Sequence, residues 1–221
     1  MAYISFQPKD NFKTTLYTGN QSARTITTNM QPDFVWTKCR NNAHSHISTD
    51  SVTGAGKRIK PDTTAAQDTS GASVASFVST GYTLTDNSTI NGNSDTNVSW
   101  SWKAGTTSGL SGGTITPSSY SINAAAGMGI YQYTGTGSTG TIAHGLGKVP
   151  EMIISKRTSH TGSWVVYHKA MGNANEMYLN ATDGQSSASA TWNSTTPTST
   201  VWSVGNDQNN TSGYTILTYA F

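Results

Sequence analysis

The chain has 221 residues, 11% of them charged, and a formal net charge of +2. An average soluble domain carries about 25% charged residues, so Ser, Thr, Asn and Gly supply the polarity here. That balance argues against a nucleic-acid binder, whose basic patch would show in the charge, and 6 Trp, 10 Tyr and 5 Phe spread along the chain argue against disorder.

The opening residues, Met1-Ala2-Tyr3-Ile4-Ser5-Phe6-Gln7-Pro8, lack a basic segment followed by an apolar one, so no signal peptide is expected. No apolar run approaches the ~20 residues that span a bilayer, and no membrane insertion is expected. Residues 1–13 read as an N-terminal arm. From there the chain resembles itself. Tyr17-Thr18-Gly19 returns as Tyr133-Thr134-Gly135, and Thr25-Ile26 as Thr141-Ile142. Pro32-Asp33-Phe34-Val35-Trp36-Thr37-Lys38 matches Pro150-Glu151-Met152-Ile153-Ile154-Ser155-Lys156, and Thr96-Asn97-Val98-Ser99-Trp100-Ser101-Trp102 matches the final Thr215-Ile216-Leu217-Thr218-Tyr219-Ala220-Phe221. The offset drifts by only about three residues from one end of the repeat to the other, and chance matches would not stay in order.

Copy one is expected over 14–104. Its single cysteine, Cys39, excludes an internal disulfide and follows a strand-like run as a buried position. His44 and His46 form an H-x-H pair that on a strand would present both rings on one face to a metal; a surface loop is the simpler reading. Gly54-Ala55-Gly56-Lys57-Arg58 lacks the first Gly and the Ser/Thr of a phosphate loop, and Lys57-Arg58-Ile59-Lys60 reads as a solvated loop. Thr63 to Ala75 holds at most a helical turn, being too rich in Ser, Thr and Gly. The Asn/Asp clusters from Asp86 to Asp95 read as turns, although such oxygens can also hold Ca²⁺. Val98-Ser99-Trp100-Ser101-Trp102 alternates, with one apolar face and one row of hydroxyls.

Residues 105–127, rich in Gly, Ser, Thr and Pro, read as a linker. Copy two is expected over 128–221. Gly135-Thr136-Gly137-Ser138-Thr139-Gly140 matches G-x-G-x-x-G, but a strand follows it where dinucleotide binding needs a helix N-terminus; it reads as a glycine-rich turn. Many short strands with regular turns predict an all-β fold of two tandem, jelly-roll-like β-sandwich units related by internal duplication. One large sandwich assembled from both copies is the alternative.

Enzyme chemistry is sparse. No pair of carboxylates stands out for glycoside hydrolysis, and no nucleophile elbow is present. No catalytic residue, metal ligand or cofactor is assigned. Binding is the remaining chemistry. Aromatic faces stack on sugars while a polar tip bonds hydroxyls, which makes Trp164, Tyr167, His168, Trp192 and Tyr214 the candidate glycan platform.

Several motifs carry a family resemblance. They are Tyr17-Thr18-Gly19-Asn20, Met30-Gln31-Pro32-Asp33-Phe34-Val35-Trp36-Thr37-Lys38, Asp50-Ser51-Val52-Thr53-Gly54-Ala55-Gly56-Lys57 and Trp100-Ser101-Trp102-Lys103-Ala104 in copy one. In copy two they are His144-Gly145-Leu146-Gly147-Lys148-Val149-Pro150, Gly162-Ser163-Trp164-Val165-Val166-Tyr167-His168 and Trp192-Asn193-Ser194-Thr195-Thr196-Pro197-Thr198. Together they resemble the duplicated-domain virion proteins, of tail-fibre or appendage type, of marine and aquatic bacteriophages. The resemblance spans nearly the whole chain, and the opening residues resemble the natural start of such proteins. It implies a virion component made in the host cytoplasm. Its partners would be other phage structural proteins and a host surface glycan, and it carries no catalytic residues over. A tail appendage or receptor-binding protein is the leading expectation. A capsid decoration or head-fibre protein competes with it, and a polysaccharide depolymerase is a weaker third. Phage appendages are commonly symmetric oligomers, and a trimer is expected.

Overall fold

The computed structural model describes residues 7–221. The protein is all-β, built from antiparallel sheets, with two compact units. The first unit takes the described chain up to Lys60 together with Asp68–Ala104. It contains β1 (Phe12–Thr18), β2 (Arg24–Thr27), β3 (Phe34–Cys39), β4 (Ile47–Asp50), β5 (Val74–Val78), β6 (Gly81–Leu84), the short helix α1 (Ser88–Asn91) and β7 (Thr96–Trp102). One sheet runs β1-β7-β3-β4 and the other β2-β6-β5. Ile26, Val35, Ile47, Val74, Tyr82, Leu84 and Ile90 bury together, with Tyr17 and Phe77 packed against them. Both sheets contribute to this core, as in a sandwich.

Of the expected arm, residues 1–6 lie outside the described residues. Pro8–Asp10 make a 3-10 turn, and Phe12 already opens β1 opposite Trp102. The segment 63–75 contains no helix; the one α-helix among the described residues is α1, in a stretch read from sequence as turns. The alternation of β7 is real, but its faces are exchanged. Ser99 and Ser101 are fully buried, whereas Trp100 and Trp102 are only half-buried. The small hydroxyl side chains leave room on the inner face for bulky neighbours, and the Tyr82 hydroxyl lies beside Ser99 and Thr37.

The second unit is Pro61–Gln67 with Gly105–Phe221. Its strands are β8 (Ser119–Asn123), β9 (Met128–Thr134), β10 (Gly140–Ala143), β11 (Met152–Arg157), β12 (Val165–His168), β13 (Asn175–Tyr178), β14 (Ser186–Ser187), β15 (Val201–Val204) and β16 (Thr215–Ala220). A seven-stranded sheet has the order β14-β13-β12-β11-β16-β9-β8, and β10 pairs with β15. The core joins Tyr131, Tyr133, Ile153, Tyr167 and Ile216 from the large sheet with Ile142, Trp202 and Val204 from the small one. The stretch expected as a linker is part of this unit. It supplies β8, and Ile115 and Ile122 are buried in the core because they are apolar residues within an otherwise polar run. Pro61–Gln67 joins this unit too, where Thr64 O accepts from Gly162 N at 2.9 Å and Gln67 N donates to Thr158 O at 2.9 Å. Thr64 O also accepts from Lys156 Nζ at 3.1 Å, and Gly162 O accepts from it at 2.8 Å, so that buried ammonium has carbonyl partners.

The strand order β1-β7-β3-β4 has its counterpart in β9-β16-β11-β12, and β2-β6 in β10-β15. In each unit the first core strand pairs with the last, and the second with the next-to-last. The register agrees as well. Tyr17 faces Asn97 and Tyr133 faces Ile216; Ile26 faces Tyr82 and Ile142 faces Trp202; Trp36 faces Trp100 and Ile154 faces Tyr219. In the first and third comparisons both residues are equated by the sequence repeat, and in the second Ile26 and Ile142 are.

The same corner closes both units. Asn91, 0% exposed, accepts from Asn20 N on Oδ1 (3.3 Å) and donates from Nδ2 to Ser22 O and Thr85 O (2.8 Å each). Asn210, also 0% exposed, accepts from Thr136 N (2.9 Å) and donates to Ser138 O (2.6 Å) and Gly205 O (2.7 Å). Tyr17 OH donates to Ile90 O and Tyr133 OH to Asn209 O, both at 2.7 Å. Glycine is required beside each asparagine: a Cβ on Gly19 would stand 2.2 Å from Gly92 O, and one on Gly135 2.2 Å from Thr211 O. Replacing Asn210 by Ala strands three backbone groups, the Gly205 carbonyl buried and the other two part-buried, where a fully buried group costs about 1–3 kcal/mol. After allowance for water entering the space, Asn210→Ala and Asn91→Ala are each expected to lower unfolding free energy by about 2–4 kcal/mol in urea titrations. Losses below about 0.5 kcal/mol, the level of an ordinary surface substitution, would contradict this role.

Candidate functional site

The expected glycan platform does not assemble. Trp164, Tyr167 and Trp192 are 1%, 2% and 1% exposed. Tyr167 meets the Trp192 ring edge-on at 5.8 Å, and Trp164 lies parallel to Tyr219 at 6.4 Å. The inward positions of β12 and its neighbours claim these rings for packing. His168 ends β12 opposite Met152, half-buried, with its Nδ1 accepting from Ala170 N at 3.2 Å. Tyr214 is engaged elsewhere: His160 stacks on it at 3.8 Å, and the Arg157 guanidinium lies 5.6 Å from its ring centre.

What the second unit offers instead is a cleft of about 400 Å³. Leu110, Ile122 and Ala124 give it an apolar floor; Thr106, Ser108, Ser111, Ser199 and Thr200 place hydroxyls around it, with Gly145 and Gly147 between. No charged side chain lines it. The 105–111 wall is held by Leu110 N donating to Tyr120 OH (2.9 Å) and by Thr106 bridging to Ile122. The opposite wall is a turn built on His144. This ring is fully enclosed, parallel to Trp202, with Nδ1 accepting from Leu146 N (3.1 Å) and Nε2 3.1 Å from Thr198 O. Nδ1 as acceptor leaves the proton on Nε2, which donates to Thr198 O. Tyr131 OH donates to His144 O at 2.5 Å. Gly145 and Gly147 have φ of +65° and +69°, left-handed values that glycine adopts without strain. A Cβ at Gly145 would also press to 3.1 Å from the Leu110 side chain. Tyr131 and His144 thus act as supports, and the hydroxyls of the rim are the groups that a ligand would meet.

Other motifs resolve differently. His44 and His46 do not share a ligand face: His44 Nε2 sits 3.4 Å from Asp95 Oδ2, while His46 Nδ1 accepts from Trp36 Nε1 at 2.9 Å. Cys39, His44 and Asp95 bring one ligand atom each to within 4.8 Å of one another. The Gly135–Gly140 motif wraps Asn210, without a helix after it. Arg58 is held by Asp68 at 2.7 Å. Two carboxylates that sequence reasoning did not pair, Glu176 and Asp207, flank Thr191 Oγ1 at 2.6 and 2.9 Å, and Tyr178 OH donates to Glu176 Oε1 at 2.5 Å. Glu176 is 3% exposed, so this group ties β13 to the 191 and 207 turns from within. No periodic signal links residues this far apart.

The match to a protein-family model runs over residues 7–221, under the description Domain of unknown function (DUF7483). The chain belongs to this family. No curated protein and no solved structure matches the chain. Within this DUF7483 member the cleft lies entirely in the second unit, and the turn that shapes it depends on an uncharged His144. Burial lowers the pKa of this ring below its ordinary value near 6.5. Below that pH the unfolded chain takes up a proton that the folded ring refuses, so stability is complete above pH 6.5 and declines as the pH falls. Urea midpoints are expected to drop between pH 7.5 and pH 5, and His144→Asn, which retains an acceptor for Leu146 N, is expected to flatten that dependence. An unchanged slope in the variant would contradict the assignment.

Proposed function

We propose that this protein is a structural component of a bacteriophage particle, a tail appendage or receptor-binding protein whose second unit meets a neutral host surface glycan. The observation that carries the glycan reading is the uncharged cleft with an apolar floor and hydroxyl rim. Its volume lies within the range of about 300–1,000 Å³ usual for small-molecule sites. A sugar matches it: the apolar ring face lies on Leu110 and Ile122, and the hydroxyls meet Ser and Thr. The virion reading draws on the family resemblance, and the shared strand order, register and asparagine corners support the descent of both units from one duplicated module.

Calorimetry with host envelope oligosaccharides is expected to show saturable binding. Ser199→Arg, an exposed rim position, fills the cleft mouth without touching the core and is expected to weaken binding by about tenfold or more, equivalent to about 1.4 kcal/mol. Binding that ignores this variant would remove the cleft from the proposal. Antibody labelling of intact particles is expected on the tail; labelling spread over the head would replace the appendage reading with capsid decoration. Light scattering of the purified chain is expected to give a trimer, and a monodisperse monomer would contradict the oligomeric part of the proposal.

A further inference from the structure

The first unit brings three side chains of metal-ligating type together. Cys39 ends β3, 1% exposed; Asp95, just before β7, is 7% exposed; His44 reaches over them from the β3–β4 loop with its side chain 33% exposed. Their ligand atoms lie within 4.8 Å of one another, and His44 Nε2 is 3.4 Å from Asp95 Oδ2. Ligands around tetrahedral zinc stand about 3.3–3.8 Å apart, given Zn–ligand distances of about 2.0–2.3 Å. A small inward shift of the half-exposed His44 ring closes the difference.

An independent observation points to the same place. Asn97, 0% exposed, is the cross-strand partner of Cys39, and its Nδ2 donates to Asp95 O at 3.0 Å. Its Oδ1 is buried without a hydrogen-bond partner. An unpartnered acceptor on the residue across from Cys39 and two positions after Asp95 is available as a fourth, oxygen donor. The loop is anchored on both sides: Lys38 Nζ donates to His44 O, and Asn42 Nδ2 donates to Asp95 Oδ1.

The second unit gives the contrast. The positions of Cys39 and Asp95 correspond to Arg157 and Tyr214, since Arg157 faces Ile216 as Cys39 faces Asn97, and Gly135 N donates to Tyr214 O as Gly19 N donates to Asp95 O. There the corner is filled by the Arg157–Tyr214–His160 stack. At these two positions the second unit closes the same frame without a thiol or a carboxylate.

We propose that Cys39, His44 and Asp95, with Asn97 Oδ1 completing the shell, form a zinc site. A thiolate and a carboxylate neutralise Zn²⁺ with a neutral imidazole, so the buried site carries no net charge, which the low-polarity surroundings require. The thiolate excludes the hard cations Ca²⁺ and Mg²⁺. On binding, the Cys39 S–H bond breaks, its proton passes to solvent and the sulfur bonds the metal, so affinity rises with pH.

The test uses the full chain, stripped with a chelator and titrated with Zn²⁺ by calorimetry and with Co²⁺ by absorption spectroscopy. One equivalent is expected, with a thiolate-to-cobalt charge-transfer band and the intense visible bands of a tetrahedral site. Cys39→Ser is expected to abolish the charge-transfer band. His44→Ala changes a partly exposed side chain and leaves the strands intact. Losing even an outer partner of a metal ligand costs about 10–100-fold in affinity, so this variant is expected to weaken Zn²⁺ binding by at least about tenfold, whereas His160→Ala leaves it unchanged. Wild-type affinity in His44→Ala, a cobalt spectrum without a thiolate band, or no saturable uptake would each overturn the site. None of these outcomes depends on the glycan cleft.

Discussion

Each unit depends on one buried carboxamide. Where the chain leaves a sheet to cross to its partner, the backbone loses its ladder, and a buried N–H or C=O without a partner costs more than an ordinary contact returns. Asn91 and Asn210 meet this demand from the centre of the corner, each serving one amide and two carbonyls with its side chain. A tyrosine hydroxyl takes the carbonyl just before each asparagine, and a glycine lets the neighbouring turn come near. Once this corner is set, the pairing of first with last strand and second with next-to-last follows, and the apolar side chains between the sheets close the core.

Much of this frame was legible in the sequence. The repeat that equates Pro32–Lys38 with Pro150–Lys156 marks β3 and β11, and the repeat that closes each copy marks β7 and β16; the observed register joins the residues so equated. Which face of each strand points inward was not legible. In a chain this poor in charge, a row of serines carries no signal of exposure, and Ser99 and Ser101 are buried while Trp100 and Trp102 are only half-buried. For the same reason the aromatic candidates of the second unit read as a platform when Trp164, Tyr167 and Trp192 fill its interior. Asn91 read as a turn residue within Asp86–Asp95, and Asn210 sits in a run of the same residue types. Their role is set by backbone groups about seventy positions away, for which local pattern has no code.

The two units show how one frame takes different chemistry at equivalent places. The segment before β9 adds β8 and the wall that makes the cleft, a feature of the second unit. The corner beside β7 and β16 holds a thiol, an imidazole and a carboxylate in one unit and a stacked cation and rings in the other. In both cases the shared hydrogen bonds hold the backbone, and the side chains around it are free to differ. Neutral hydroxyls on the cleft follow from the same composition that hid the strand faces.

Native-state hydrogen exchange tests the central claim most directly, because it reads the corner amides one by one. The amides of Gly19, Asn20 and Gln21, and of Gly135, Thr136 and Gly137, donate within the two asparagine corners. If those corners hold the units closed, these loop amides exchange only through global unfolding of their unit, as slowly as the central amides of β7 and β16. Exchange at the rate of an exposed turn would show that the corners open independently, and that the asparagines do not bind the fold together.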